Sequence, residues 1–241
     1  MSQLHFHRHE FKYHLPTWKA QRIIKMLQAY MAIDKYVPAG KDHYPVHSIY
    51  FDSPHLKSYF EKIFGFHTRQ KVRIRSYHDH VTNSSDLFLE VKTKQNFLIK
   101  KDRLILTKKD VLNWYDNHIQ PQLATFTDQQ TWHKFNYLIK RYTMKPKLMM
   151  SYKRMPFVEP RRKDLRITFD FDLRADSVYD LDFTPAKKEI YPNMMICELK
   201  FNNTMPEWLQ QIIKANDLKW YPYSKYCRGQ EANHALLPHI K

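Results

Sequence analysis

Apolar and charged residues alternate, one for one, along four stretches of this chain. Arg8, Glu10 and Lys12, then Lys71, Arg73 and Arg75, then Glu90, Lys92 and Lys94, and finally Glu198 and Lys200 stand at every second position. Between them lie Phe11 and Tyr13, Val72 and Ile74, Leu89 and Val91, and Cys197, Leu199 and Phe201. Alternate residues of a β-strand share a face, so each stretch predicts a strand with one apolar side and one mixed, mainly cationic side. A β-barrel with a charged interior reads this way, and so does a sheet with one face in water.

The rest of the pattern fills in the elements. Strands are predicted over 4–13, 46–51, 69–78, 86–94, 97–106, 147–156, 164–174 and 194–201, with a tight hairpin turn at Gln95-Asn96. Residues 164–174 alternate most cleanly, with Leu165, Ile167, Phe169, Phe171 and Leu173 on one side and Arg166, Thr168, Asp170, Asp172 and Arg174 on the other. Helical spacing of Ala20, Ile23, Ile24, Leu27, Tyr30 and Met31 predicts a helix over 17–31. Ser53-Pro54 reads as the start of a short helix running to about 64, and Thr107 with Asp110 as a capping box opening another. Further helices are expected over 128–142, 206–217 and 225–236, the last capped by Ser224. Residues 34–44 look like a loop. No repeat or Gly/Ser-rich linker divides the chain, so residues 1–241 are read as a single α+β domain. About eight strands joined largely as neighbours, with helices between them, suit an eight-stranded antiparallel β-barrel with flanking helices. An ordinary α+β sandwich remains the alternative.

Composition narrows the chemistry. Lys and Arg number 40 against 24 Asp and Glu, a formal charge of +16, which favours polyanionic partners. Only Gly40, Gly65 and Gly229 are glycines, so no Gly-rich phosphate loop can be built and phosphate must be held by side chains. Cys197 falls on an apolar strand face, which points to a buried free thiol, a reducing compartment and a cytoplasmic location. No signal peptide or membrane-length apolar run is evident. His5, His7 and His9 alternate and could bind metal, but stand at a terminus that is often frayed.

The polar strand faces are dominated by Arg and Lys where a solvated strand would mix in Thr, Ser and Gln. Like charges on adjacent strands repel, which costs stability unless an anion is bound. Glu10, Glu90 and Glu198 each stand two residues before a lysine. Carboxylate oxygens suit a divalent cation whose shell phosphate oxygens can complete, so such rows could hold metal and phosphate together. Phosphoryl transfer needs little more from a protein than positioning and charge neutralisation. The aromatics are expected on the strand sides opposite the cations, which disfavours base stacking and a nucleic-acid partner.

These rows carry a resemblance. Arg8-His9-Glu10-Phe11-Lys12-Tyr13, Ser48-Ile49-Tyr50-Phe51-Asp52-Ser53, Val72-Arg73-Ile74-Arg75 and Leu89-Glu90-Val91-Lys92-Thr93-Lys94 come in order. Tyr152-Lys153-Arg154, Leu165-Arg166-Ile167-Thr168-Phe169-Asp170, Glu198-Leu199-Lys200 and Ser224-Lys225-Tyr226 follow. The ordered set resembles the polyphosphate polymerase (VTC) domain of the vacuolar transporter chaperone complex, within the triphosphate tunnel metalloenzymes. The resemblance implies an antiparallel tunnel that transfers the terminal phosphate of ATP onto phosphate or polyphosphate. Lys12, Arg73, Arg75, Lys92, Arg154, Arg166, Lys200 and Lys225 look like its phosphate-binding set. Glu198 looks like the ligand of Mn²⁺ or Mg²⁺, with Glu10 and Glu90 as helpers. Arg8 stands where the wider superfamily often opens with a first glutamate, Glu-x-Glu-x-Lys, which argues against a two-metal hydrolase. A triphosphatase, or a non-catalytic polyphosphate-binding module, remains the alternative. The accessory phosphate-sensing domain and membrane segments of the eukaryotic assemblies are not found in this sequence, so membrane coupling is expected only through a partner protein. Lys12, Arg73 and Arg75 could instead be exposed strand residues. Tyr50 and Phe51 are expected to pack, Asp52 to help cap a helix, and Asp170 and Asp172 to pair with neighbouring arginines. Lys101 and Arg103 are candidates only.

Overall fold

A computed structural model describes residues 8–96 and 98–233, without the side chains of Arg8 and Lys163. His5 and His7, the start of the first expected strand and the end of the last expected helix lie outside the described residues. In chain order the elements are β1 (Arg8–Pro16), α1 (Thr17–Leu27), β2 (Ala32–Ile33), β3 (Tyr44–Asp52), α2 (Lys57–Ile63), β4 (Thr68–Ser76), β5 (Asp86–Gln95) and β6 (Leu98–Thr107). Then come α3 (Lys108–Asn117), α4 (Phe126–Arg141), β7 (Lys145–Glu159), β8 (Arg162–Ser177), β9 (Met194–Asn202), α5 (Glu207–Ala215) and α6 (Lys225–Asn233). The hydrogen-bonded strand order is β1-β9-β8-β7-β3-β4-β5-β6, with the two-residue β2 on β7. This is the antiparallel eight-strand path with helices between strands that the alternation predicts; β2 was not expected, and α1 ends at Leu27 instead of 31, leaving Tyr30 outside it and exposed.

The chain divides into two compact units. One holds the residues up to 45, 152–173 and 191–224; the other holds 46–151, 174–190 and those from 225 on. In the first, β1 pairs β9 and β9 pairs β8, so Phe11, Leu199 and Ile167 stand in one row and Tyr13, Cys197 and Phe169 in the next. These rows bury against α1 and α5 through Ala20, Ile23, Leu27, Leu209 and Ile212. Cys197 is a buried free thiol, as expected, and burial pushes its pKa well up. In the second unit, β3 to β6 pair in sequence, and Ile49, Ile74, Leu89 and Leu104 form one cross-strand row. With Val72, Val91 and Leu106 they pack on Val111 and Trp114 of α3 and Trp132 and Phe135 of α4. Each fully buried side chain of this kind contributes about 1.5–3 kcal/mol. Both apolar faces are thus spent on helices, and in each unit the charged face is the opposite one.

Local capping follows the sequence closely, with one correction. Thr107 accepts from the Asp110 N–H at 3.2 Å and donates to Asp110 Oδ2 at 2.6 Å, the expected box. Thr125 and Asp128 repeat it, starting α4 two residues before the expected 128. By contrast α2 begins at Lys57, not beside Ser53. The reason is Asp52, fully buried, whose carboxylate accepts the N–H groups of Ser53 (2.7 Å), Ser58 (2.9 Å) and Tyr59 (3.1 Å) and the Tyr226 hydroxyl (2.6 Å). Ser53-Pro54-His55-Leu56 becomes a turn, closed by Leu56 N–H to the Ser53 carbonyl at 3.0 Å. Burial raises the Asp52 pKa against the pull of its four hydrogen bonds. Asp52 therefore ties β3, α2 and α6 together. Gly229 seats α6 from the other side: a Cβ there would lie 2.6 Å from Leu148 Cδ2 and 2.8 Å from Met150 Cε.

Replacing Asp52 by alanine leaves two helix N–H groups and a buried phenol without their acceptor. Urea denaturation should show a loss of about 3 kcal/mol. A loss under about 0.5 kcal/mol, the level of an ordinary surface change, would mean Asp52 is not the joint described.

Candidate active site

In the first unit the register β1–β9–β8 sets Glu10, Lys200 and Arg166 in one row and Lys12, Glu198 and Thr168 in the next. Lys12 Nζ lies 2.9 Å from Glu10 Oε1 and 4.0 Å from Glu198 Oε2, and donates to the Tyr223 carbonyl at 3.4 Å. The other oxygen of Glu198 pairs with Lys200. Arg154, on β7, makes a fork with Asp170: Nε to Oδ1 at 2.6 Å and Nη2 to Oδ2 at 2.8 Å. Burial would lower the Arg154 pKa, but Asp170 and Tyr152 beside it hold it well above its ordinary value, so it keeps its charge. Arg166 pairs with Asp34 at 3.0 Å and donates to the Tyr44 hydroxyl at 3.5 Å. Lys12, Lys200, Arg154 and Arg166 therefore each face a carboxylate. Asp170 pairs as expected; Asp172, in a left-handed conformation, has Lys153 at 3.2 Å.

The second unit is built differently. Tyr50, Arg73, Glu90 and Arg103 stand in one cross-strand row, and Lys71, Lys92 and Lys101 in another. Glu90, 1% exposed, receives Arg73 (Nη2, 2.6 Å), Lys101 (2.5 Å), Arg103 (Nη2, 2.6 Å) and, farther off, Arg75 (4.0 Å). Arg73 also donates to the Tyr50 hydroxyl at 2.9 Å, and Arg75 to Ser48 Oγ at 3.0 Å. Lys225 opens α6; its neighbour Tyr226 packs 5.2 Å from the Tyr50 ring and under the Lys71 ammonium.

Ionisation reports a positive potential here. Burial alone would raise the Tyr50 phenol, yet Arg73, Arg75 and Lys71 bring it down to about 8. Tyr77 is likewise raised by burial but drawn down to about 8, chiefly by Arg75. Lys101 is lowered to about 8 by burial, against Glu90 and with help from Arg73 and Arg103. Lys62 is lowered by burial and by Arg69, Lys71 and Lys94. Glu90, despite its burial, is held far below the usual carboxylate range by Arg73, Arg75 and Lys101.

Three readings change. Glu90 was expected to help a metal; its oxygens are instead engaged by cations. Tyr50 packs, but it faces the charged side, in line with Arg73, because it alternates with Ile49 and Phe51. Its two-residue spacing from Ser48 was the available signal. The aromatics are also not confined to the apolar faces. Tyr50, Tyr77, Phe88 and Tyr152 lie beside Arg73, Arg75, Arg103 and Arg154, at 4.8–5.8 Å from ring centre to guanidinium carbon. The stacking argument against nucleic acid therefore fails, although Tyr50 and Tyr152 are buried.

Among the described residues no three His, Cys, Asp or Glu side chains gather as a metal-holding group. The donors that suit a hard divalent cation are Glu10 and Glu198, on either side of Lys12. Among the described residues the buried Thr168 hydroxyl, opposite Glu198, and Arg166 Nε in the adjacent row have no hydrogen-bond partner. Two carboxylates and an orphaned hydroxyl fit an ion that keeps several waters and takes the rest of its shell from phosphate, as Mg²⁺ and Mn²⁺ do. The orphaned guanidinium N–H fits an anion oxygen beside it.

Two outcomes test this electrostatic account. Absorbance titration should reveal tyrosines ionising near pH 8. Tyr50→Phe should remove one of them, and tripolyphosphate should move the remaining midpoint upward. A phenol whose folded pKa is depressed adds stability in full above its unfolded pKa of about 10. That contribution fades as pH falls through about 8. Glu90→Gln leaves four cations around a neutral amide and, given the partial exposure of those cations, should cost about 2 kcal/mol. The ionised Glu90 stabilises in full above its ordinary pKa, so chemical denaturation should show the gap closing only in strong acid.

A family model, the VTC domain, matches residues 7–234. Among curated proteins none matches the chain. Of solved structures, the bh2851 protein of Bacillus halodurans, named for adenylate cyclase activity, shares the fold. Its TM-score is 0.53 at 13% identity, over 90% of this chain and 95% of that one. The PH1819 protein of Pyrococcus horikoshii OT3 aligns at a TM-score of 0.49 and 14% identity, over 94% of this chain and 99% of that one. With the match running through every charged row described above, the chain belongs to the VTC domain family.

Proposed function

We propose that this protein is a metal-dependent polyphosphate polymerase, which transfers the terminal phosphate of ATP onto phosphate or polyphosphate. An oxygen of the acceptor forms a bond to the terminal phosphorus while the bond to the ADP oxygen breaks, and ADP leaves with that electron pair. The observation that carries this reading is the interleaving of Glu10, Lys12, Glu198 and Lys200 across two paired strands, with Thr168 and Arg166 in the same rows. A bound Mn²⁺ or Mg²⁺ would neutralise charge on phosphate oxygens there, with Glu198 as its main ligand and Glu10 as helper. Lys12 and Lys200, now held by those carboxylates, would then turn to phosphate. Arg154 is fixed by its fork with Asp170 and offers a charged edge without reorganising. Arg166 brings the orphaned Nε. The acceptor phosphate is already an anion, so no general base is required of the protein.

Arg73, Arg75, Lys92 and Lys225 are the proposed phosphate-binding residues of the second unit. The depressed Tyr50 and Tyr77 support an anion-binding role for it: at each the arginines beside the phenol favour its negative form despite burial. Among these, Lys225 is the least favoured electrostatically, since it opens a helix whose N-terminus repels cations.

Incubation with ATP and Mn²⁺ or Mg²⁺ should yield polyphosphate, seen as a ladder on a gel. Free phosphate alone would make the protein a triphosphatase, cyclic AMP a cyclase, and tight binding without turnover a binding module. Glu198→Ala should lower turnover at least 100-fold, the scale of losing a key electrostatic contributor, while tripolyphosphate binding survives in part. Loss of binding and turnover together, with the fold lost, would make Glu198 a structural residue.

A further inference from the structure

The second unit also carries an exposed edge, at the far ends of strands that hold part of the candidate site. At the end of α2 the chain turns through Gly65, in a left-handed conformation (φ 71°). Phe64 and Phe66, on either side of it, are 65% and 55% exposed. Their rings lie 6.4 Å apart, and Phe64 stacks on Phe60 at 5.5 Å. The loop is laced to the β5–β6 turn: Asn96 N–H donates to the His67 carbonyl at 2.9 Å, and the His67 ring meets the Asn96 amide at 3.1 Å. Leu98 and Ile99, which start β6 at that turn, are 78% and 40% exposed. Four large apolar side chains thus stand in water on two adjoining tips.

The charge around them is mainly positive, although Lys100 pairs with Asp102 and Lys101 with Glu90. Residues 62–71 and 92–101 contain Lys62, Arg69, Lys71, Lys92, Lys94, Lys100 and Lys101, and no Asp or Glu. Arg69 and Lys94 face each other across β4 and β5, and Lys94 in turn faces Ile99 across β5 and β6. Lys62 lies close enough to Arg69 and Lys94 for them to disfavour its charge. Lys62, Arg69 and Lys94 beside exposed aromatic and aliphatic tips match the two layers of an anionic bilayer surface: charged headgroups outside, acyl chains beneath. A linear polyanion or a nucleic acid would use the cations but leave Leu98 and Ile99 without a role.

From this geometry we infer that the Phe64–Phe66 loop and the β5–β6 turn dock together on membrane surfaces rich in anionic lipid. The phenylalanines and Leu98 enter the headgroup–acyl boundary, while Arg69 and Lys94 stay at headgroup level with their aliphatic stems along it. The docking is direct, unlike the partner-mediated coupling expected from the family resemblance, and it does not depend on the proposed enzymatic activity.

The test is flotation of the full chain with vesicles of phosphatidylcholine alone or with one third phosphatidylglycerol. Recovery with the anionic vesicles should exceed that with neutral ones at least ten-fold. The triple variant Phe64→Ser, Phe66→Ser, Leu98→Ser should lose that recovery at least five-fold while keeping the wild-type circular dichroism spectrum, melting temperature and tripolyphosphate affinity. A milder Phe66→Ser variant, with an intermediate loss, covers the case in which the triple variant misfolds. No flotation with anionic vesicles overturns the inference. Flotation that the serine variants leave unchanged also overturns it, because net charge alone would then account for binding. So does preferential capture of a polyuridylate strand that the same variants weaken, which would make this edge a nucleic-acid surface.

Discussion

Cations placed opposite one another across neighbouring strands repel, and the charged strand faces of each unit are shaped by how that repulsion is met. The two units meet it in different ways. In the first, each of four cations faces a carboxylate, through Glu10, Glu198, Asp170 and Asp34. In the second, four cations converge on Glu90 alone. A buried carboxylate with so many donors is held ionised, and it holds those donors in a fixed array. Phenols nearby ionise more readily as a result, so the local field is set by side-chain placement and not merely by the net charge of the chain.

That difference divides the proposed chemistry. Hard oxygen donors with lysines between them suit an ion and the phosphate it would share. A convergent cationic array suits negative charge alone. Preorganised charge of either kind serves phosphoryl transfer, in which the protein's main task is to be in place before the charge develops. The VTC domain match fixes the family, and the fold shared with the bh2851 protein fixes the architecture. The reaction rests on the residues themselves.

Much of this was readable from the alternation. Period-two patterning names the face of every residue on a strand, so Arg73, Glu90, Lys200 and Arg166 could be placed before any coordinates were known. The Thr107–Asp110 box was legible because capping is local. What escaped the sequence was cross-strand register and long-range acceptance. Nothing local says that Glu90 will gather Lys101 and Arg103 from β6, or that Tyr50 will receive Arg73. Asp52 had been expected to help with a cap, but its bond to Tyr226, far along the chain, lies beyond any window of periodicity. The same bond explains why α2 starts late. Aromatic residues were misplaced for a related reason: an aromatic on a polar face is invisible as such until its neighbour is known to be a guanidinium.

The bare backbone at Gly229 has a wider consequence. It lets α6 settle against Leu148 and Met150 at a depth no side chain would allow without displacing them. The same helix begins with Lys225 and holds Tyr226 against Tyr50. An added methyl there would press on those two side chains, the packing that seats the helix carrying Lys225. Where that lysine stands is therefore a matter of apolar fit as well as of charge.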